Sequence, residues 1–296
     1  MNHHRHTTII AAALLVVLFA GAVLSVQKVD SYRQEATLEE ILYLPSGKTL
    51  KHMSLGYSGL LADIYWTRAV QYFGNKHLKH SEHYDLLYPL LDITTDLDPQ
   101  LVVAYQTGSI FLCQRPPDGA GDPDKAIALL EKGVRANPTY WRMYFTMGFV
   151  HYLERHDYKA AEKAFQAGSE VPGALPWMKV MAARMAEHAE DTSTAMLLWR
   201  GIYENSRDKM IRETALKHLL SLQAESDIEQ LGRRVQAYRD RTGSLPANWL
   251  DMVRRGLLPG IPQDPTGHLY KLQPDGAVGV EDPKQFPYLG QGRTTK

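Results

Sequence analysis

Pro138 and Pro172 stand 34 residues apart, and the residues between them are placed as two helices pressed together require. Gly148 follows Pro138 by ten residues, while Ala160 and Ala167 precede Pro172 by twelve and by five. A proline ends a helix at a defined point because it lacks a backbone donor and clashes with the preceding turn. Small residues at fixed offsets let two helix backbones approach. The pattern extends upstream: Asp98-Pro99 precedes Gly108, and "AIALLEKGVRANP" repeats the spacing with Ala126, Leu130, Gly133 and Pro138. The interval from Pro99 to Pro138 is 39 residues, five more than the next, and "RPPDGAGDP" from Arg115 to Pro123 absorbs the excess as a loop. A unit of this size cannot bury its apolar side alone, so neighbouring units must stack.

Apolar residues recur at three and four through this region, as in Leu129, Leu130, Gly133, Val134 and in Ala160, Ala164, Phe165, Ala167, the spacing of a helix with one buried side. It predicts helices over residues 59–74, 83–97, 100–114, 123–137, 140–154, 157–170, 175–189, 191–205, 208–223 and 225–242, an all-α chain. Pro89 is expected to kink or delay the second. Asp122 before Pro123 reads as an N-cap with proline at the first helical position.

Over residues 58–206 the sequence resembles the tetratricopeptide repeat family, on the Pro138/Pro172 period and the small residues named above, with Ala182 and Ala195 at the corresponding places further on. The resemblance implies a right-handed helical solenoid, with residues 207–243 as capping helices. From Gly243 the helical period gives way to Gly, Pro and short β-like pieces such as "HLYKL" and "AVGV". About thirty residues here resemble the segment of type II secretion major pseudopilins that follows the long helix, carried by Gly243, Leu245, Pro246, Leu250, Val253, Gly256, Leu257, Leu258, Ile261, Pro262, Asp264, Pro265, Gly267 and Tyr270. The prepilin N-terminus of Gly, aromatic and Glu is absent, so residues 244–296 are expected to form a small, partly β cap and tail rather than make the chain a pilus subunit. The run "YLPSGKTL…SLGYSGLLADIYWTRAVQYFG", residues 43–74, resembles the lead segment of bacterial membrane-anchored tetratricopeptide proteins, which implies that the lead-in, residues 30–57, docks against the first repeat, with Leu60, Leu61, Ile64, Trp66, Ala69, Val70 and Phe73 on the buried side of the helix after it.

Residues 1–29 form the expected anchor. Thr7 to Val26 is an uncharged run of twenty residues, which as a helix rising about 1.5 Å per residue spans about 30 Å, the thickness of a bilayer core. Arg5 precedes it, and Lys28 and Asp30 follow, which sets the N-terminus inside and the bulk of the chain on the extracytoplasmic, periplasmic side. Ala20-Gly21-Ala22 offers the alternative of a cleaved signal peptide; the apolar run continuing through Val23, Leu24 and Val26 favours the anchor. Formal net charge is zero, so no positive field advertises nucleic acid. Cys113 is the single cysteine, which excludes an intrachain disulfide and a cysteine-rich zinc site.

Other motifs carry little chemistry. Ser46-Gly47-Lys48-Thr49 matches the end of a phosphate-binding loop, but Leu42 stands where the first glycine of that motif belongs, and "LKHMSLGYS" after it is no smooth helix start; a turn with a basic residue is expected, and no nucleotide. His77, His80 and His83 stand three apart yet occupy a polar turn, and no metal is expected there. Asp118, Asp122 and Asp124 lack the spacing of a calcium loop. There is no nucleophile elbow, zinc-protease pair or cysteine–histidine framework, so neither a catalytic residue nor a cofactor is assigned.

Within the repeat resemblance, Gly148 occupies the eighth position, and positions two, five, nine and twelve of that first helix are Arg142, Phe145, Phe149 and Tyr152. In the family these face a concave groove; Tyr105, Ser109 and Leu112 take comparable places in the preceding repeat. An aromatic, lightly charged groove suits a helix or an extended apolar segment of a partner, or the chain's own tail. Burial of some of these rings between repeats is the competing expectation. The expected function is a membrane-anchored scaffold that binds protein partners, with a pilus or secretion machine as the partner class from the C-terminal resemblance. The alternative is an accessory or enzymatic protein acting on envelope polymers, with the repeats holding substrate.

Overall fold

The computed structural model describes residues 45–291 together with Leu15, Leu18 and Gly21. The expected anchor, most of the lead-in and residues 292–296 lie outside the described residues. Among the described residues no helix is long and apolar enough to cross a membrane. The described residues are mostly helical, at 65% helix in eleven helices with only a two-stranded sheet among them, which is consistent with an all-α fold. The backbone divides into two compact units.

The first unit comprises residues 45–72 and 85–98 of the described chain. Helix α1 (Gly47–Met53) starts where a turn was expected: Ser46 caps it by accepting a hydrogen bond from the Thr49 amide at 3.2 Å. Gly47, the residue that suggested a phosphate loop, is buried against α3 (Leu87–Leu97), where a Cβ would lie 2.5 Å from that of Asp96. A serine cap and a glycine at a close crossing therefore account for the motif. Most of helix α2 (Ser58–Leu78) belongs to this unit and turns Ala62, Tyr65 and Ala69 inward. Pro89 sits in the first turn of α3, where its missing donor is harmless, so the helix is delayed rather than kinked.

The second unit takes residues 73–84 and the chain from Pro99 onward. Helices α4 (Val102–Cys113), α5 (Pro123–Ala136), α6 (Trp141–Phe149), α7 (Tyr158–Ser169), α8 (Trp177–His188), α9 (Thr192–Asn205) and α10 (Lys209–Thr242) each pack on the next. Side-chain caps start α5, α7, α9 and α10: Asp122, Asp157, Asp191 and Asp208 each accept a backbone N–H of the first turn. The Asn137-Pro138 punctuation has a specific role. Asn137 is buried and its amide donates to the carbonyls of Pro99, at 2.8 Å, and Gly133, at 3.3 Å, joining the ends of two helices.

The close approaches fall one residue later than expected in the second repeat. Ala160 is half-buried and Ala167 exposed, whereas Ala161 is fully buried and Gly168 lies under Met178 and Tyr144. Ala126, Ala161 and Ala195, all fully buried, thus mark equivalent positions, spaced 35 and then 34 residues. The extra residue is taken up at the end of α6, where Val150–Glu154 widens into a π-turn closed by Arg155 N–H on the Val150 carbonyl.

Two helices were expected over 208–223 and 225–242; α10 runs unbroken through both. "SLQAESDIEQ" contains no Gly or Pro to stop it. What changes there is the partner: Ala215 and Leu222 pack with α8 and α9, while Ala224, Leu231, Val235 and Tyr238 pack with the C-terminal segment. Gly243 ends α10 with φ +74°, the left-handed cap that favours glycine. Helix α11 (Trp249–Arg254) and the antiparallel pair β1 (Lys271–Leu272) and β2 (Val278–Gly279) then form the cap. Trp249, Met252, Leu258, Tyr270, Val280 and Phe286 close its core over α10. Trp249 Nε1–H donates to the Tyr270 carbonyl at 2.7 Å, and the Tyr270 hydroxyl donates to Asp227 of α10 at 3.0 Å.

Candidate functional site

The predicted groove residues separate into two groups. Tyr105, Ser109 and Leu112 are at most 1% exposed and line no open surface. Tyr105 lies where α4 meets α5 at Gly133, whose absent Cβ would be 2.8 Å from its ring. The Ser109 hydroxyl donates to the Gln106 carbonyl within its own helix. Helix α4, "VVAYQTGSIFLC", is apolar on every side, so its exposed positions, Val103 and Ile110, look no different in sequence from its buried ones.

Arg142, Phe145, Phe149 and Tyr152 do come together along α6 and the π-turn, in a continuous run of rings. Trp141 meets Phe145 edge-on at 6.0 Å, and Phe145 in turn meets Trp177 of α8 at 5.3 Å. Phe149 sits 5.2 Å from Phe165 and 6.3 Å from Trp177. The run continues from Tyr152 to Tyr158, at 6.1 Å, and from Tyr158 to His188, stacked at 5.3 Å. Edge-to-face and tilted pairs at these separations are favourable beyond the area they bury. Phe165 is fully buried while Trp141, Phe145, Phe149, Tyr152, Tyr158 and Trp177 are half-buried, so the inner edge of the seam is core and the outer edge meets solvent. Gly148 makes this possible, since its missing side chain admits the Phe165 ring to within 2.7 Å of where a Cβ would be.

Charge is sparse here. The Arg142 guanidinium is exposed and lies over the Trp141 ring at 4.6 Å, a cation–π contact. Burial, reinforced by Arg184, lowers the His188 pKa. Burial likewise lowers that of His151 in the π-turn, whose Nδ1 has no partner among the described residues. Such a surface offers aromatic faces, a guanidinium at its rim and neutral imidazoles, and it can hold apolar or aromatic groups.

No family model, curated protein or solved structure matches the chain.

The three histidines weighed in the sequence do not converge. His77 Nδ1 lies 3.3 Å from the Pro117 carbonyl at the end of α2, His80 has φ +48°, and His83 belongs to a turn in which its amide donates to Ser81. Among the described residues no group of three or more His, Cys, Asp or Glu is placed to hold a metal. A polar cluster that the sequence did not reveal lies at the C-terminal end of α8. Glu187 accepts hydrogen bonds from Trp199 Nε1, at 2.6 Å, and His218 Nδ1, at 2.8 Å. The His218 ring is stacked between Trp199, at 4.0 Å, and Tyr288, at 3.6 Å, and is 4% exposed. These four residues come from α8, α9, α10 and the C-terminal segment, so no local motif could announce them. The Tyr288 amide also donates to Ser221 at 3.4 Å, which fixes the end of the chain onto α10.

Proposed function

We propose that the chain is a tetratricopeptide-type right-handed helical scaffold, tethered to a membrane by the apolar run at residues 7–26, that binds a protein partner on the extracytoplasmic side. The observation that carries this reading is the half-exposed aromatic seam along α6, the π-turn and α8, with Arg142 at its rim. Rigid rings give large contact area at low entropic cost and are the residues most enriched at the energetic centre of interfaces. They are supported from below by Phe165 and Met178, so the surface is formed before a partner arrives and little ordering cost attends binding. A tether keeps the scaffold within reach of partners in the same membrane and raises their effective concentration. The pseudopilin-like C-terminal segment favours a component of a pilus or secretion machine as the partner.

The test is photo-crosslinking in cells from position 142, with the native N-terminus, on wild type and on a Phe145→Ala, Phe149→Ala variant whose helicity is verified by circular dichroism. The reading expects a small set of envelope proteins captured by wild type and lost in the folded variant. Capture of the same set by both, or of none, sinks it.

A further inference from the structure

Helices α7 and α9 both pack on α8, and between them remains an open groove of about 720 Å³, within the size range of pockets that take drug-sized ligands or peptide anchors. Its depth comes from side chains that are missing or small: Ala182 of α8 lines it, and at Gly201 of α9 a Cβ would meet nothing within 4 Å. Leu198, Ile202 and Ile211 make its apolar walls, and Leu197 stands at it 71% exposed. Four charged residues also line it. Three are already engaged: Lys179 pairs with Glu170 at 3.4 Å, and Asp208 accepts the amides of Met210 and Ile211 at the start of α10. The fourth, Arg207, has no hydrogen bond or ion pair among the described residues.

We infer that this groove is a second docking site, for an apolar peptide segment of a protein partner whose carboxylate side chain pairs with Arg207. The inference rests on the reading of the chain as a protein-binding scaffold, but it concerns a surface separate from the aromatic seam. Charge selects the occupant. An apolar segment covers the walls, and a carboxylate meets the one guanidinium left unengaged, in the planar two-bond geometry that distinguishes arginine. A basic segment would leave that cation uncompensated.

The experiment uses the purified full chain in detergent and two labelled peptides of leucine and alanine with Gly-Ser ends, one carrying a central glutamate and the other glutamine. Wild type is expected to bind the glutamate peptide about tenfold more tightly, the equivalent of one charge-assisted contact. Arg207→Gln should erase that difference. Gly201→Trp should abolish binding of both peptides by filling the groove, while Gly201→Ala, which leaves it open, should bind as wild type and shows that the helix tolerates substitution. Failure of wild type to bind either peptide, or binding unchanged in Gly201→Trp, overturns the proposal. So does a long-chain fatty acid that binds where the peptides do not, or self-association of the chain that Gly201→Trp abolishes without any peptide bound. Each of these results leaves the crosslinking test of the aromatic seam standing, so the two proposals fail separately.

Discussion

Gly148 leaves no room for a methyl group. A Cβ there would be 2.7 Å from the Phe165 ring, and that ring is fully buried, with nowhere to retreat. Gly148→Ala is expected to cost about 1–3 kcal/mol from overpacking, read as a lower urea midpoint at unchanged slope. The same exchange at Gly201, where the space is open, should instead raise the midpoint, by about 1 kcal/mol of helix propensity. Opposite signs for one substitution at two helical glycines would separate packing from backbone preference. Cys113 offers a second check. Burial, with a contribution from Glu154, pushes its thiol up to about 11, so the thiolate is scarce at neutral pH and the sulfur is enclosed. Iodoacetamide should modify it only after denaturant unfolds the chain, as followed by mass spectrometry. Some of this was legible beforehand. Asn137-Pro138 announced a helix end, but that Asn137 would reach the Pro99 carbonyl was not, because the partner lies a whole helix pair away in sequence.

Among the elements, α8 links the aromatic seam to stability through pH. Burial first, then Arg184, holds the His188 pKa below its ordinary 6.5, and burial does the same for His151. Above that pH both rings are neutral whether the chain is folded or not, and their contribution is fully present. As pH falls through 6.5 the unfolded chain takes up protons first, so stability declines until the folded values are passed. The melting temperature should therefore drop between pH 7.5 and 5.5, and His188→Gln should lessen the drop; an equal drop in the variant would remove His188 from the account. Helix α10 shows where periodicity misleads. The sequence read as two helices, 208–223 and 225–242, yet between them there is only a change of packing partner, whereas a break needs Gly, Pro or a cap. Helix α4 shows the converse. Its helix was plain, but a segment apolar all round carries no sign of which side faces in, and Tyr105, Ser109 and Leu112 were assigned to a surface when they belong to the core.

On the scale of the second unit as a whole, separate hydrophobic clusters line up along the chain, and α10 takes part in two of them. Removing residues 244–296 would uncover Leu231, Val235 and Tyr238 together with the face of His218 that Tyr288 covers. Amide exchange is then expected to speed through residues 223–242 while residues 158–205 keep their protection; joint loss would mean that the two clusters unfold as one. The helical content and the β character of the C-terminal segment were legible because both rest on local residue choice, the apolar spacing in one case and the Gly/Pro turns in the other. The Glu187, Trp199, His218 and Tyr288 cluster was not, since it exists only once four distant segments have met.

The continuity of α10 also makes it a gauge of angle. Each residue advances the helix by about 1.5 Å and turns it by about 100°, so the side that meets α8 and α9 and the side that meets the cap are held in a fixed rotational phase by the count of residues between Leu222 and Leu231. A single residue inserted there would swing the cap by more than a quarter turn and carry Tyr288 away from His218, although no contact within either cluster had been altered. Four inserted residues would restore most of the angle and leave chiefly an axial shift of about 6 Å. Length in this stretch is therefore constrained more tightly than the identity of its polar residues.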